Sequence, residues 1–375
     1  MAIDLWGRGK LKIMKEEELL KELSEGRKEI KTDSYSMSIG ELLNLYTEGE
    51  LQLDPAYQRL FRWSDEQKSN FIESILLGIP IPPIFVAQKE GGKWSVVDGV
   101  QRISSILQLT GDLKNKEPLT LTTTRKLPSL EGFTWLTLPD DIKRILKRSK
   151  FGINIILTEN SIQAQYELFQ RLNTGGLHLE PQEIRNCLII MLSEPFYDKI
   201  NDLKTYTNYK STLPLSDEKF KIEHHMELIL RYFIAKNGKT KFENYKVSYT
   251  HLSEFIDKET VKLIEDDSFN IDTEITLFKK VFDLLNETLG ADSFKKYIDA
   301  KDRFEGPFVE SSFEAIVPGI ANNYDKIKSI SKEQLIQNIK DIYKDTLYLE
   351  YSERGTKAIT RMKGLTEFSN QYFSK

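Results

Sequence analysis

The chain has 375 residues, 39% of them hydrophobic and 29% charged, and its 53 basic and 57 acidic side chains leave a net charge of −4. That balance suits a folded globular protein and excludes a strongly basic whole-chain field for nucleic acid, though not a local basic patch. A single cysteine, Cys187, set in an apolar run, excludes an intramolecular disulfide framework and a cysteine-based zinc site.

No apolar run approaches the ~20 residues that span a bilayer, and the first residues lack a signal-peptide core. The expectation is a cytoplasmic protein with no membrane partner, and the length suggests about two domains. Residues 1–32 read as a charge-rich arm, with a helix over 15–28 that places Leu19, Leu20 and Leu23 on one face. A short strand over 35–39, a helix over 40–47 and a short strand over 51–53 follow. Ser64 and Gln67 have capping-box spacing, and Phe71, Ile72, Ile75 and Leu76 supply the apolar stripe of the helix they open. Gly78 and the prolines Pro80, Pro82 and Pro83 end it. Residues 84–87 and 94–97, separated by Gly91 and Gly92, read as a β-hairpin. A helix over 103–109, a β-rich stretch over 119–124, a helix over 140–150 and an apolar strand over 152–157 come next. Helices over 161–172 and 183–192 flank a polar glycine loop. Beyond about Ser193-Glu194-Pro195 helical periodicity dominates, so the domain boundary is expected there: 33–194 α/β in character, 195–375 helical.

Three segments carry chemistry. In Asp54-Pro55-Ala56-Tyr57-Gln58-Arg59-Leu60-Phe61-Arg62-Trp63, Arg59 and Arg62 suit phosphates and Tyr57 and Trp63 offer faces for a base. A loop anchored by its aromatics, with solvated arginines, explains the same residues. In Asp98-Gly99-Val100-Gln101-Arg102 a strand gives way to a helix. Gly99 permits a sharp turn, the helix start offers unpaired N–H groups, Arg102 offers a planar fork of donors, and Asp98 can hold a metal ion or orient a water. A plain turn with a local Asp98–Arg102 ion pair is the alternative. In Phe169-Gln170-Arg171-Leu172-Asn173-Thr174-Gly175-Gly176, followed by Arg185-Asn186, the glycines serve either a helix cap or a ligand loop.

Taken together, these segments resemble the N-terminal domain of GmrSD-type modification-dependent restriction enzymes. The matching positions are Tyr57-Gln58-Arg59 with Trp63, Asp98-Gly99-Val100-Gln101-Arg102, and Phe169, Asn173, Gly175 and Gly176 with Arg185-Asn186. The resemblance covers about residues 35–195. It implies an α+β fold, with a ParB/sulfiredoxin-like small mixed-sheet domain followed by a helical domain. It also implies a nucleotide hydrolase whose catalytic centre is the Asp98 motif. The cofactor would be GTP or ATP with Mg²⁺: Asp98 holds the metal, Gln101 and Arg102 act with it, and Tyr57, Gln58, Arg59, Arg62, Trp63, Gly99, Asn173, Thr174, Gly175, Gly176 and Arg185 line the nucleotide site. Val100 stands where the family has a glutamine; valine forms no hydrogen bond, which touches hydrolysis more than binding.

None of the four histidines, His178, His224, His225 and His251, lies in a His-Asn-His or His-x-x-Pro context. The resulting expectation is a sensor or regulatory subunit of a bacterial anti-phage or restriction system. It would act on DNA, modified or not, with a separate effector nuclease; homo-oligomerisation is left open. A ParB-like metal-dependent nuclease and a non-catalytic adaptor remain as alternatives. Near the C-terminus, Arg354, Lys357 and Arg361 are expected to share one helical face suited to the DNA backbone; a solvated terminal helix is the other reading.

Overall fold

The structure is a computed structural model that describes Leu19 and residues 32–53, 63–89, 91–114, 116–157, 180–245 and 251–375. The expected arm helix (Leu19 apart), the 161–172 helix and the Asn173–Gly176 loop lie outside them. The chain divides into two compact units, Met1–Leu179 and Glu180–Lys375.

The first unit is built on a five-stranded mixed sheet in the order β1-β5-β3-β4-β2. Strand β1, Thr32–Ser38, runs antiparallel to β5, Lys150–Ile156. Strand β3, Ile84–Gln88, is parallel to β5 and antiparallel to β4, Trp94–Asp98; β2, Leu51–Gln52, lies parallel to β4. In β5 Phe151, Ile153 and Ile155 are buried with the two-residue period of a strand, and Ile156 at its end is buried as well.

Among the described residues, four α-helices accompany the sheet in this unit. Helix α1, Ile39–Thr47, starts at Ser38, whose hydroxyl accepts from the Glu41 amide. Helix α2, Asp65–Leu76, has the expected capping box, with Ser64 and Gln67 each accepting from the other's amide. Helix α3 spans Val100–Thr110 and helix α4 Asp140–Arg148. Ile72, Ile84, Val96, Ile103 and Leu107 are fully buried together at the centre of the core. The 119–124 stretch departs from its β-rich composition and forms no strand. Its hydrogen bonds go elsewhere: Leu119 donates to the Gln108 carbonyl, Leu121 to the Phe133 carbonyl and the Thr122 amide to the Ser69 hydroxyl. β-propensity here yields to tertiary partners.

The second unit is mainly helical. Its elements are α5 Pro181–Leu192, α6 Glu194–Leu203, α7 Thr207–Thr212, α8 Asp217–Lys221, α9 His224–Asn237, α10 Leu252–Glu265 and α11 Ile271–Thr288, then α12 Glu310–Asn322, α13 Tyr324–Ile327, α14 Lys332–Ile342, α15 Thr346–Tyr351 and α16 Ala358–Ser374. One departure from an all-helical reading is the antiparallel pair β6, Lys296–Ile298, and β7, Arg303–Glu305. The unit begins at Glu180, ahead of the boundary that composition suggests near residue 194. Ser193-Glu194-Pro195 is a helix start: the Ser193 hydroxyl accepts from the Phe196 amide at 3.3 Å, and proline is tolerated in a first turn. In the closest helix pairing, α12 on α16, the Gly319 amide donates to the Ser369 hydroxyl at 2.8 Å; a Cβ at Gly319 would overlap Ser369 and Phe373.

At the start of α9, His225 is buried edge-on to Phe220, and its pKa falls from 6.5 to about 4, chiefly because burial penalises the charged ring. The fold therefore holds His225 neutral while the unfolded chain protonates it near pH 6.5. The unfolded state binds the extra proton between those values, so this residue makes stability rise with pH across that window. Glu314, raised by burial, acts in the opposite sense but is common to wild type and variant. Denaturant titrations from pH 4 to 7 should show a smaller rise in unfolding free energy for His225→Phe than for wild type.

Candidate functional site

The Asp98 corner forms where β4 ends and α3 begins. Gly99 sits between them in the left-handed region, φ 95° and ψ 11°, and is the N-cap of α3. A Cβ there would stand 2.9 Å from Ile84 Cγ1, a fully buried side chain of β3. Both the dihedral and the space therefore demand glycine. Among the described residues no side chain caps α3, so its first amides face the corner with the positive end of the helix dipole.

Arg102 points back over this turn. Its Nη2 pairs with Asp98 Oδ2 at 2.7 Å, and its Nη1 donates to the carbonyls of Pro82, in a short contact, and Pro83, at 3.1 Å. The Arg102 side chain is 12% exposed and that of Asp98 34%. The local ion pair foreseen as an alternative thus exists, and it also clamps the proline segment ahead of β3. Sequence reasoning took those prolines only as a helix stop. Backbone carbonyls leave no residue signature, and only the fixed backbone of successive prolines hints at them.

Gln101 reaches the other way. Its Oε1 accepts from the Trp63 amide at 3.2 Å, which joins the end of the first motif to the second. Trp63 is half-buried and lies edge-on to Phe71 at 5.5 Å, so part of its ring serves the core. Val100 is likewise half-buried against that core.

Other expected site residues separate into two groups. Tyr57, Gln58, Arg59 and Arg62, and Asn173, Thr174, Gly175 and Gly176, lie outside the described residues. Arg185, expected to line the nucleotide site, is described, and its donors face the interior of the second unit instead. It is fully buried on α5, and all five of its donors are taken. Nε donates to Asp257 at 2.6 Å, Nη1 to Gln182 and to Glu227 at 3.3 Å, and Nη2 to the hydroxyl and carbonyl of Ser253. Its neighbour Asn186 donates to Glu223 at 2.6 Å.

The C-terminal trio does not share a face. Arg354 stands exposed in the turn before α16, Lys357 is the exposed N-cap, and Arg361 is held by Glu314 at 2.8 Å and Glu310 at 3.1 Å. The adjacent histidines diverge as their helical spacing implies: His224 lies 3.4 Å from Glu310, while His225 meets Phe220.

Residues 39–190 match the family model described as the GmrSD restriction endonuclease, N-terminal domain. This stretch is similar to the GmrSD N-terminal domain. No curated protein and no solved structure matches the chain. The GmrSD stretch contains the whole corner, and it ends on α5, within the second unit. The description is that of a domain of a restriction endonuclease, which points to a restriction-related role. No described helix is long and apolar enough to cross a membrane.

Two stability outcomes follow. Gly99→Ala forces a side chain into the left-handed region and against Ile84, and should cost about 1–3 kcal/mol in urea denaturation. Arg185→Met removes the buried guanidinium that Asp257 meets at 2.6 Å, while Glu227 keeps Arg231, and should cost about 3–5 kcal/mol by the same measurement, with Arg185→Met/Asp257→Leu recovering part of the loss.

Proposed function

We propose that the GmrSD N-terminal domain binds a nucleoside triphosphate with Mg²⁺ at the Asp98–Arg102 corner, as the sensing part of a DNA restriction system. One observation carries this reading. A left-handed glycine with no capping side chain turns a strand into a helix, with an arginine fork and a carboxylate beside the helix start. Amides at such a turn donate to phosphate oxygens, and the dipole favours their charge. Arg102 supplies planar donors next to them. Asp98 Oδ2 is engaged by Arg102, which leaves Oδ1 as one ligand oxygen for Mg²⁺; phosphate oxygens and water complete such a shell. The metal, when bound, neutralises phosphate charge. Gln101 holds the Trp63 backbone beside the start of α3, and in this reading the Trp63 ring stacks on the base.

Whether the bound nucleotide is hydrolysed turns on Val100. A non-catalytic adaptor is the second reading, favoured by the valine packing on the core and by Arg102 already neutralising Asp98. Wild type, Val100→Gln and Arg102→Ala should be compared for phosphate release from ATP and GTP. Restoring the glutamine should raise the rate by up to ~10²–10³-fold, and Arg102→Ala should abolish it. Because Arg102 also clamps Pro82 and Pro83, Arg102→Lys and a melting curve belong beside it. Calorimetric titration separates the readings: binding without turnover indicates a sensor, and no heat with either nucleotide indicates the adaptor.

A further inference from the structure

The strongest unassigned feature of the first unit is the outer face of α4. Ile142 and Leu146 turn inward, one helical turn apart, and join the core. The opposite side presents Lys143, Arg144, Lys147 and Arg148, and Lys150 follows at the start of β5. Against these five cations stand only Asp140 and Asp141, both in the first turn, where the helix dipole favours them. Those acids are used within the helix: Asp140 lies 3.6 Å from Lys143, and Asp141 pairs with Arg144. Lys147, Arg148 and Lys150 are exposed and have no carboxylate at ion-pair distance among the described residues. The local charge is thus +3 in a chain whose total is −4.

The patch is also held in place. Lys147 lies over the Trp135 ring at 5.8 Å, and Lys143 donates to the Leu136 carbonyl at 3.3 Å. The end of the helix is tied down where the Ser149 carbonyl accepts from the Ile39 amide at 2.9 Å. Pre-ordered cations lose less freedom on meeting a ligand than free ones. By contrast, the C-terminal residues first considered for DNA include Arg361, whose charge is already met by two glutamates.

We propose that this face, centred on Lys147, Arg148 and Lys150, binds the phosphate backbone of duplex DNA. The inference rests on the DNA-related part of the reading above and is independent of the nucleotide. A polyanion is the partner that three unpaired neighbouring cations complement, and the restriction family supplies DNA as that polyanion. Contacts of this kind position a protein on the duplex without reading its sequence. Neutralised phosphates release counterions, so binding weakens with salt by about 0.9 in the log–log slope per contact.

The test titrates full-length protein into a fluorescent duplex of about 20 base pairs over a salt series, read by anisotropy. Lys147→Gln/Arg148→Gln/Lys150→Gln should weaken binding about tenfold or more and make the salt slope shallower by about 2–3. Lys258→Gln/Lys301→Gln, surface lysines paired with Glu254 and Glu305, should bind like wild type. Circular dichroism and melting curves verify that the triple variant is folded. Wild-type behaviour of the triple variant, loss confined to Arg354→Gln/Lys357→Gln, or absence of salt-dependent duplex binding by wild type would overturn the proposal. Calorimetry with ATP and GTP on the same proteins reports on the nucleotide site alone, so the two readings fail separately.

Discussion

The first unit depends on one tight passage of chain. At Gly99 the backbone leaves β4 and enters α3 within a single residue, in a conformation that side chains disfavour and against an isoleucine that leaves no room for one. Everything the corner offers is a result of that economy. A longer loop would carry Asp98 away from Arg102, and a capped helix would spend its first amides on a side chain. Arg102 then acts as a tie between elements, joining the end of β4 to the carbonyls ahead of β3. The same guanidinium proposed for phosphate is therefore also a structural brace. A ligand entering the corner meets an arginine already held, which limits its reorganisation and also its freedom.

Much of this was legible in the sequence because it is local. The Ser64–Gln67 box, the Gly91-Gly92 hairpin and the glycine turn at residue 99 each declare themselves within a few residues, and the structure has them. The GmrSD motifs were legible for the same reason, and residues 39–190 match that family. What failed to show was distant or made of backbone. The partner of Arg185 lies 72 positions away at Asp257, so nothing near Arg185-Asn186 tells a buried ion pair from a ligand contact. The threonine-rich 119–124 stretch has strand-like composition, but its hydrogen-bond partners belong to other elements. Ser193-Glu194-Pro195 resembles a linker and is a helix start, because the residues suited to breaks are also those suited to caps.

The contrast between the two sets of arginines and lysines has a common physical cause. Near the C-terminus Arg361, one of three cations grouped in the sequence, is taken by glutamates from another helix. On α4 the acids are confined to the first turn, and the cations of the last turn stay unpaired. Charge counted along a chain says little until the opposing charges have been placed around it.

The arginine and carboxylate side chains of the second unit alternate from Asp257 through Arg185, Glu227, Arg231 and the pair Glu310 and Glu314 to Arg361, threading five helices. Peeling away any one of α5, α9, α10, α12 or α16 would break at least one of these ion pairs, a penalty added to the loss of apolar contact. Half-assembled forms are thus disfavoured, and the helices are bound to come apart as a single cooperative block, with no stable way-station between order and coil.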